Sequence, residues 1–487
     1  MVKVKSVKFN FVMNTILMVS SMIFPLLTFT YVSRIIGPSG TGAVSFAYSV
    51  ISYFSMFAQM GVPTYGIRAC AKVRDNKEEL SRTVQEILII NIITCAISYI
   101  CFLIGLVSIP VLRNEKALFL VMGVLILFNT LGVEWLYKGL EQYGYITVRS
   151  IVFKILAVIA MFVFIQEKDD YILYGGLYIF AAVGSNVLNF INLRKIISVK
   201  HVGNYHLKKH LKPIAAFFAM SIATTVYTNL DNVMLGFIKG NVENGYYDAA
   251  VKVKVVLVNL VTSLGTVLLP RVSYFIEKNM YEEFHKISKK AMEFTVLMAL
   301  PLMTFFMIFA RQSILLLSGE QFINSIAPMQ IIMPTLFFIG VSNIVGIQIL
   351  IPLGREKTVL FSEIVGAAVD IILNVILIPG YGAAGAALGT VAAEFSVMLV
   401  QIIAIREIAV PILKDISYLK ILAALLMAVI AAGWIGFLNL NVFFLLSLSA
   451  VIFFSVYCAI LFLLKVELFK EYAEIFIRKL QKIIQHR

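Results

Sequence analysis

The chain has 487 residues, 60% of them hydrophobic and only 14% charged, with a formal net charge of +14 and a mean hydropathy of +0.92. Soluble globular chains carry about half apolar and a quarter charged residues, so this composition excludes a single water-soluble core and also intrinsic disorder. Four cysteines are too few for a disulfide-stapled secreted module. An all-α, polytopic integral membrane protein remains.

Crossing about 30 Å of hydrocarbon takes about 20 apolar residues as a helix. In chain order, such runs predict spans over 9–33, 43–66, 84–108, 117–138, 151–166, 171–193 and 213–237, then 249–269, 291–317, 328–352, 358–378, 383–405, 417–438 and 442–464, fourteen in all. The fifth is short. Transmembrane strands fit poorly, since they show only about 10-residue alternating segments. The first run, Phe9–Val32, is too long for the core of a cleavable signal peptide, and no small-residue cleavage site follows it.

Orientation follows from the connections. With the N-terminus inside, 33 of the 41 Lys and Arg lie on the cytoplasmic side and 8 outside, as the positive-inside rule requires. An even span count returns the basic tail, 465–487, to the cytoplasm. The remaining significance of the positive charge is affinity for anionic headgroups. Basic residues scattered over short loops make no nucleic-acid module.

Cys70, Cys95, Cys101 and Cys458 lie in or beside spans without metal-ligand spacing and read as small hydrophobes. His201, His206 and His210 share one cytoplasmic loop and read as solvated. No metal or cofactor is expected.

Polar residues inside the spans are more telling. Ser221, Thr224, Thr225, Thr228, Asp231 and Asn232 fall within about 120° of one helix face. The next span aligns Lys252, Asn259, Ser263 and Thr266. Further stripes are Asn10, Asn14, Ser21, Pro25 and Thr28 in the first span, and Ser45, Ser49, Ser52 and Gln59 in the second. Late in the chain come Glu363, Asp370 and Asn374, then Thr390, Glu394 and Gln401. Small polar residues commonly make interhelical hydrogen bonds. Ionised ones cost at least about 2.5–3.5 kcal/mol at mid-membrane, so they face partners or a wet cavity. Striped helices in both halves predict a water-accessible cavity between two bundles.

An internal repeat supports two bundles. The first outer turn spaces glycines from Gly37 to Gly42, and the turn after the seventh span spaces Gly240 to Gly245 equally. Six spans separate them, so the halves have parallel topology, an arrangement that places substrate between repeats. The glycines of 379–389 predict a tight turn and a small-residue face for close helix contact. The last two spans are an appended hairpin.

Several stretches resemble the Wzx-type polysaccharide repeat-unit flippases of the MOP exporter superfamily. They are FPLLTFTYVSRIIGPSGTGAVSFAYSV (24–50), GVPTYGIRACAKVRDNKEELSR (61–82) and EWLYKGLEQYGYITVRSIVFKIL (134–156), then LDNVMLGFIKGNVENGYYDAAVKVK (230–254), LLPRVS (268–273) and IPGYGAAGAALGT (378–390). The resemblance runs to about residue 405. It implies two six-helix lobes, 1–212 and 213–415, in a V around a central cavity, with 416–464 as an added helix pair. It also implies alternating access for an undecaprenyl-pyrophosphate-linked oligosaccharide crossing the bacterial cytoplasmic membrane from inner to outer leaflet. Capsule, O-antigen or teichoic-acid-like glycans are the expected cargo. A polysaccharide polymerase and chain-length machinery are the expected protein partners, beside membrane lipids.

A diphosphate needs cations to offset its transfer from water. The candidates are Arg34, Arg68, Arg149, Lys252 and Arg271, with Asn259 and Gln59 for sugar. Plain positive-inside anchoring remains open for Arg68, Arg149 and Arg271. Asp231 has three readings: a salt bridge to Lys252, ion coupling, or helix packing. Asp370 and Glu394 are further coupling candidates. A MATE-like drug or metabolite antiporter is the main alternative, although 9–33 contains no acidic residue. A peptidoglycan lipid precursor flippase follows the same logic. Short outer loops with no nucleophile constellation argue against an enzyme.

Overall fold

The computed structural model describes residues 5–438, 440–466 and 468–469. Side chains at 7, 264–267, 269, 270 and 437 lie outside the description, Thr266 among them, as does the expected tail beyond 469. All regular structure among the described residues is helical. Among the described residues, ten helices are long and apolar enough to cross a membrane, or eleven when the bent pair Glu320–Ile332 and Thr335–Leu350 is one span. The chain is therefore a multi-pass membrane protein. The expected fourteen is a larger count, partly because two pairs of apolar runs each fall within one helical segment that is interrupted at a glycine, Gly37 in Val7–Gln59 and Gly382 in Glu356–Ala404.

The first of these is α1, Val7–Gln59, with 53 residues. At 1.5 Å per residue it would stretch about 80 Å, more than twice the hydrocarbon thickness. Instead it breaks at Gly37, whose φ of 66° and ψ of −173° are non-helical. A left-handed φ costs glycine little, and Pro38 suits the first turn of the leg that follows.

Interhelical hydrogen bonds give the directions. After α2 (Val62–Val73) come α3 (Lys77–Ser108), α4 (Lys116–Leu131) and α5 (Tyr143–Phe164). The Thr147 hydroxyl donates to Met13 O at 2.9 Å, Lys154 Nζ to Ser20 and Ser21 Oγ at 3.0 and 2.7 Å, and the Tyr31 hydroxyl to Ile165 O at 3.1 Å. The first leg of α1 thus runs parallel to α5. On the second leg, Ser98 Oγ donates to Phe54 O at 2.6 Å and Asn91 Nδ2 to Ala58 O at 2.7 Å, an antiparallel match to α3. Next, α6 (Tyr171–Ile179) continues through a π turn into α7 (Asn186–Ile196). Asn186 and Asn189 donate to Phe128 O and Gly132 O, parallel to α4. Arg149 and Tyr145 donate to Ser185 O and Leu188 O, antiparallel to α5. Gly123 lies under Phe102 while Cys95 reaches Ile126 O, so α3 opposes α4 and parallels α5. The chain therefore reverses at Gly37. The expected short fifth span is the 22-residue α5.

Two compact units divide the chain, Met1–Asp248 and Ala249–Arg487. The first includes α8 (Lys208–Ile238) and the start of α9 (Asn241–Glu277). Its core is aromatic-rich, with Phe29, Phe46, Phe102, Phe119 and Tyr137 fully buried.

The second unit contains α10 (Tyr281–Ile308) and α11 (Glu356–Ala404). This 49-residue helix is non-helical at Gly382, with φ 54° and ψ −128°. Gln401 Nε2 donates to Ser362 Oγ at 3.0 Å, a Cβ at Gly389 would sit 2.4 Å from Asn374 Oδ1, and one at Gly385 would sit 2.6 Å from Leu377 O. Those pairings run antiparallel about Gly382, and the small residues let the legs touch. Gly382→Ala is expected to cost about 1–3 kcal/mol through backbone strain, read as a lower thermal midpoint in detergent. The last helices, α12 (Tyr418–Gly433) and α13 (Val442–Leu463), join this unit's core. The Tyr457 hydroxyl donates to Leu297 O at 3.2 Å, and the Phe453 and Phe305 rings lie 5.4 Å apart.

Candidate functional site

The repeated glycine turns meet face to face within the first unit. A Cβ on Gly42 would lie 1.8 Å from Asn241 O, and one on Gly245 would lie 2.0 Å from Pro38 O. Asn244 Nδ2 donates to Gly42 O at 2.9 Å, and Ser45 Oγ to Asp248 Oδ1 at 3.1 Å. Ser45 and Asp248 are 203 residues apart, the same offset that relates Gly42 to Gly245. Equivalent positions of the two repeats thus contact each other reciprocally, as a local twofold axis demands. Glycine permits this backbone approach because any side chain would fill the gap.

Toward the other end of the second α1 leg, the first unit contains a cavity of about 280 Å³. Tyr48, Ser52, Ser55 and Gln59 line it from α1, Asn129 from α4, and Ser221, Thr225 and Asn229 from α8. None of its lining residues is Lys, Arg, Asp or Glu. Gln59 Nε2 and Asn129 Nδ2 both donate to Ser55 Oγ, at 3.1 and 3.0 Å. Asn229 Nδ2 donates to Thr225 O at 3.1 Å and Thr228 Oγ1 at 3.0 Å. Of the α8 stripe read from periodicity, Ser221 and Thr225 line this cavity, while Thr224, Thr228, Asp231 and Asn232 are not among its lining; Asn229 lines it from outside that stripe, and Gln59 lines it from α1.

The other candidates are dispersed. Arg34, Arg68 and Arg271 are exposed and Lys252 is half-buried. Asn259 is exposed and donates to Val255 O at 2.7 Å. Arg149 is buried, donating to Ser185 O at 2.5 Å and Asn186 Oδ1 at 3.4 Å with its guanidinium over the Tyr145 ring. It fastens α5 to the start of α7. Asp231 accepts a hydrogen bond from the Tyr247 hydroxyl, which ties α8 to α9. Asp370 and Glu394 are buried on opposite legs of α11.

Two polar centres escape a reading by stripes. Lys154, buried at 8% exposure, donates to the paired hydroxyls of Ser20 and Ser21; a lone lysine within IVFKILAVIAM is its visible signal. The second centre corrects the solvated reading of His210, which is 2% exposed. Its Nε2 bonds Glu86 Oε2 at 2.8 Å and its Nδ1 the Tyr65 hydroxyl at 2.6 Å. Glu86, wholly buried, also receives Lys209 Nζ and the His206 N–H, both at 2.7 Å. Gln85 adds bonds to Ser198 O and Lys200 O. The connection 197–210 is thereby fastened along the start of α3.

Residues 7–276 match the family described as polysaccharide biosynthesis protein. A protein of Escherichia coli (strain K12) named "Putative O-antigen transporter" is 24% identical over 82% of this chain and 97% of its own length. One of the same name from Shigella dysenteriae is 23% identical over 80% and 97%. Among solved structures, a Lipid II flippase MurJ in an inward closed conformation aligns with a TM-score of 0.73, at 17% identity over 96% of this chain and 99% of that one. An inward-facing multidrug resistance MATE transporter of the MOP superfamily aligns at 0.62, with 15% identity over 80% and 95%. At such identities these structures carry the fold alone.

Proposed function

The chain belongs to the polysaccharide biosynthesis protein family, and from that premise we propose that it moves a polyprenyl-diphosphate-linked oligosaccharide from the inner to the outer leaflet of a bacterial cytoplasmic membrane. The observation that carries the reading is the hydroxyl- and amide-lined cavity between α1, α4 and α8. Its chemistry suits a sugar, which has many hydroxyls to satisfy and no charge to neutralise. The likeness of 80–82% of this chain to nearly the whole of two proteins named as O-antigen transporters supports the same cargo class.

In this reading both termini are cytoplasmic, and the two halves alternate between inward and outward openings. Arg34, Arg68, Lys252 and Arg271 are the cations proposed to meet the diphosphate. Arg149 acts on the site by holding α5 and α7. Asp231, Asp370 and Glu394 are the proposed coupling groups. The polymerase and chain-length machinery are the proposed protein partners.

Leaflet exchange of a fluorescent lipid-linked oligosaccharide in liposomes, read by quencher protection, tests the proposal. Deletion in cells should abolish surface glycan without sensitising them to cationic dyes, which a drug antiporter would do. The Arg68→Ala/Lys252→Ala pair is expected to slow exchange by about tenfold or more, since each charge-assisted bond to phosphate is worth about 1.5–3 kcal/mol. Equal rates would remove those two residues from the site and leave the transport class standing.

A further inference from the structure

The cavity's hydrogen-bonding capacity is lopsided. Asn229 cannot be turned over, because its amide nitrogen already meets the Thr225 carbonyl, and turning would set oxygen against oxygen. Its Oδ1 therefore remains an open acceptor. Gln59 and Asn129 both contact the single Ser55 hydroxyl, which can donate to only one of them. At least one further amide oxygen is thus left for an occupant. Ser52 and Ser221 spend their protons on the carbonyls of Tyr48 and Phe217, which leaves their hydroxyl oxygens as acceptors too. Among the described residues, no cation lines the wall.

We infer that this cavity is a subsite for one uncharged sugar ring of the transported glycan, and that it discriminates against rings carrying a carboxylate. The inference rests on the transport reading above and adds what that reading leaves open, the charge class of the sugar. A neutral ring supplies hydroxyl donors to the open amide oxygens and apolar C–H edges to Met56 and Leu125 on the same wall. A uronic acid places a carboxylate against the negative ends of those amide dipoles, with no cation to offset its desolvation. The diphosphate is excluded for the same reason and must be held elsewhere, so the two ends of the cargo are recognised separately.

The test uses the full-length protein in liposomes with two probes, a polyprenyl diphosphate bearing glucose and one bearing glucuronic acid. Wild type is expected to exchange the glucosyl lipid at least tenfold faster. Asn229→Lys is expected to shrink that ratio toward unity by accelerating the glucuronyl lipid, a gain that damaged packing does not produce. Asn129→Lys provides the same readout if the first variant folds poorly. Equal wild-type rates for the two probes, or an unchanged ratio in both lysine variants, would overturn the inference while leaving transport intact. Exchange of neither probe by wild type would overturn the transport reading itself and this subsite with it.

Discussion

Gly245→Ala is expected to abolish glycan export and to lower stability by about 3 kcal/mol, the upper end of what overpacking costs. The new Cβ would sit 2.0 Å from Pro38 O, and a backbone carbonyl cannot swing aside as a flexible side chain can. Gly42→Ala should behave alike, because its Cβ would meet Asn241 O at 1.8 Å. Relief requires the two turns to part, which breaks the Asn244–Gly42 and Ser45–Asp248 hydrogen bonds together. Gly240→Ala separates packing from backbone strain. Gly240 has a φ of +82°, and a methyl group added there would meet nothing within 4 Å, so only the left-handed penalty of about 1–2 kcal/mol applies. Thermal midpoints and surface-glycan staining of the three variants check this. Equal damage in Gly240→Ala and Gly245→Ala would mean that turn conformation, not the docking of one turn on the other, is what the glycines supply.

Much of the architecture is legible without coordinates, and the physical reason differs by element. Spans are legible because lipid demands long apolar helices that satisfy their own backbone. The turn repeat is legible because close backbone approach tolerates only glycine at Gly42 and Gly245, while Gly37 and Gly240 take the left-handed φ that glycine adopts at little cost. The α8 stripe is legible in part because a helix facing a cavity keeps a 3.6-residue polar period: Ser221 and Thr225 do line one, whereas Asn229 lines it from outside the stripe. Asn129 escapes such a reading because a lone amide in an apolar run has no period. Cations are the hardest to place. Arg149 and Lys154 depress hydropathy and make the fifth span look short, yet both are buried and hydrogen-bonded. Whether a charge faces a cavity, solvent or a carbonyl depends on helix ends brought together over long sequence separations, and no local pattern records that.

Glu86 is the clearest such case, and Glu86→Ala is expected to destabilise the protein by about 3–5 kcal/mol, the usual cost of removing one member of a buried ion pair. His210, Lys209 and the His206 N–H all converge on this carboxylate across 120 or more residues of sequence. Truncation strands the His210 ring nitrogen and the His206 amide without an acceptor inside protein, whereas Lys209, 45% exposed, can turn to water. Glu86→Gln keeps one acceptor oxygen, so its loss should be smaller than that of alanine. Lys209→Ala, removing only the solvent-screened partner, should cost no more than about 1 kcal/mol. Protease accessibility of 197–207 in membranes and thermal midpoints in detergent check the series, with cleavage rising in the order Lys209→Ala, Glu86→Gln, Glu86→Ala. Comparable cleavage in all three would mean that the Gln85 bonds to Ser198 and Lys200 hold the connection without help. That connection leads into α8, whose Ser221, Thr225 and Asn229 line the cavity, so its attachment to α3 helps to position that wall. A loosened connection should therefore lower export beyond the loss of folded protein, when rates are normalised to the amount present in the membrane.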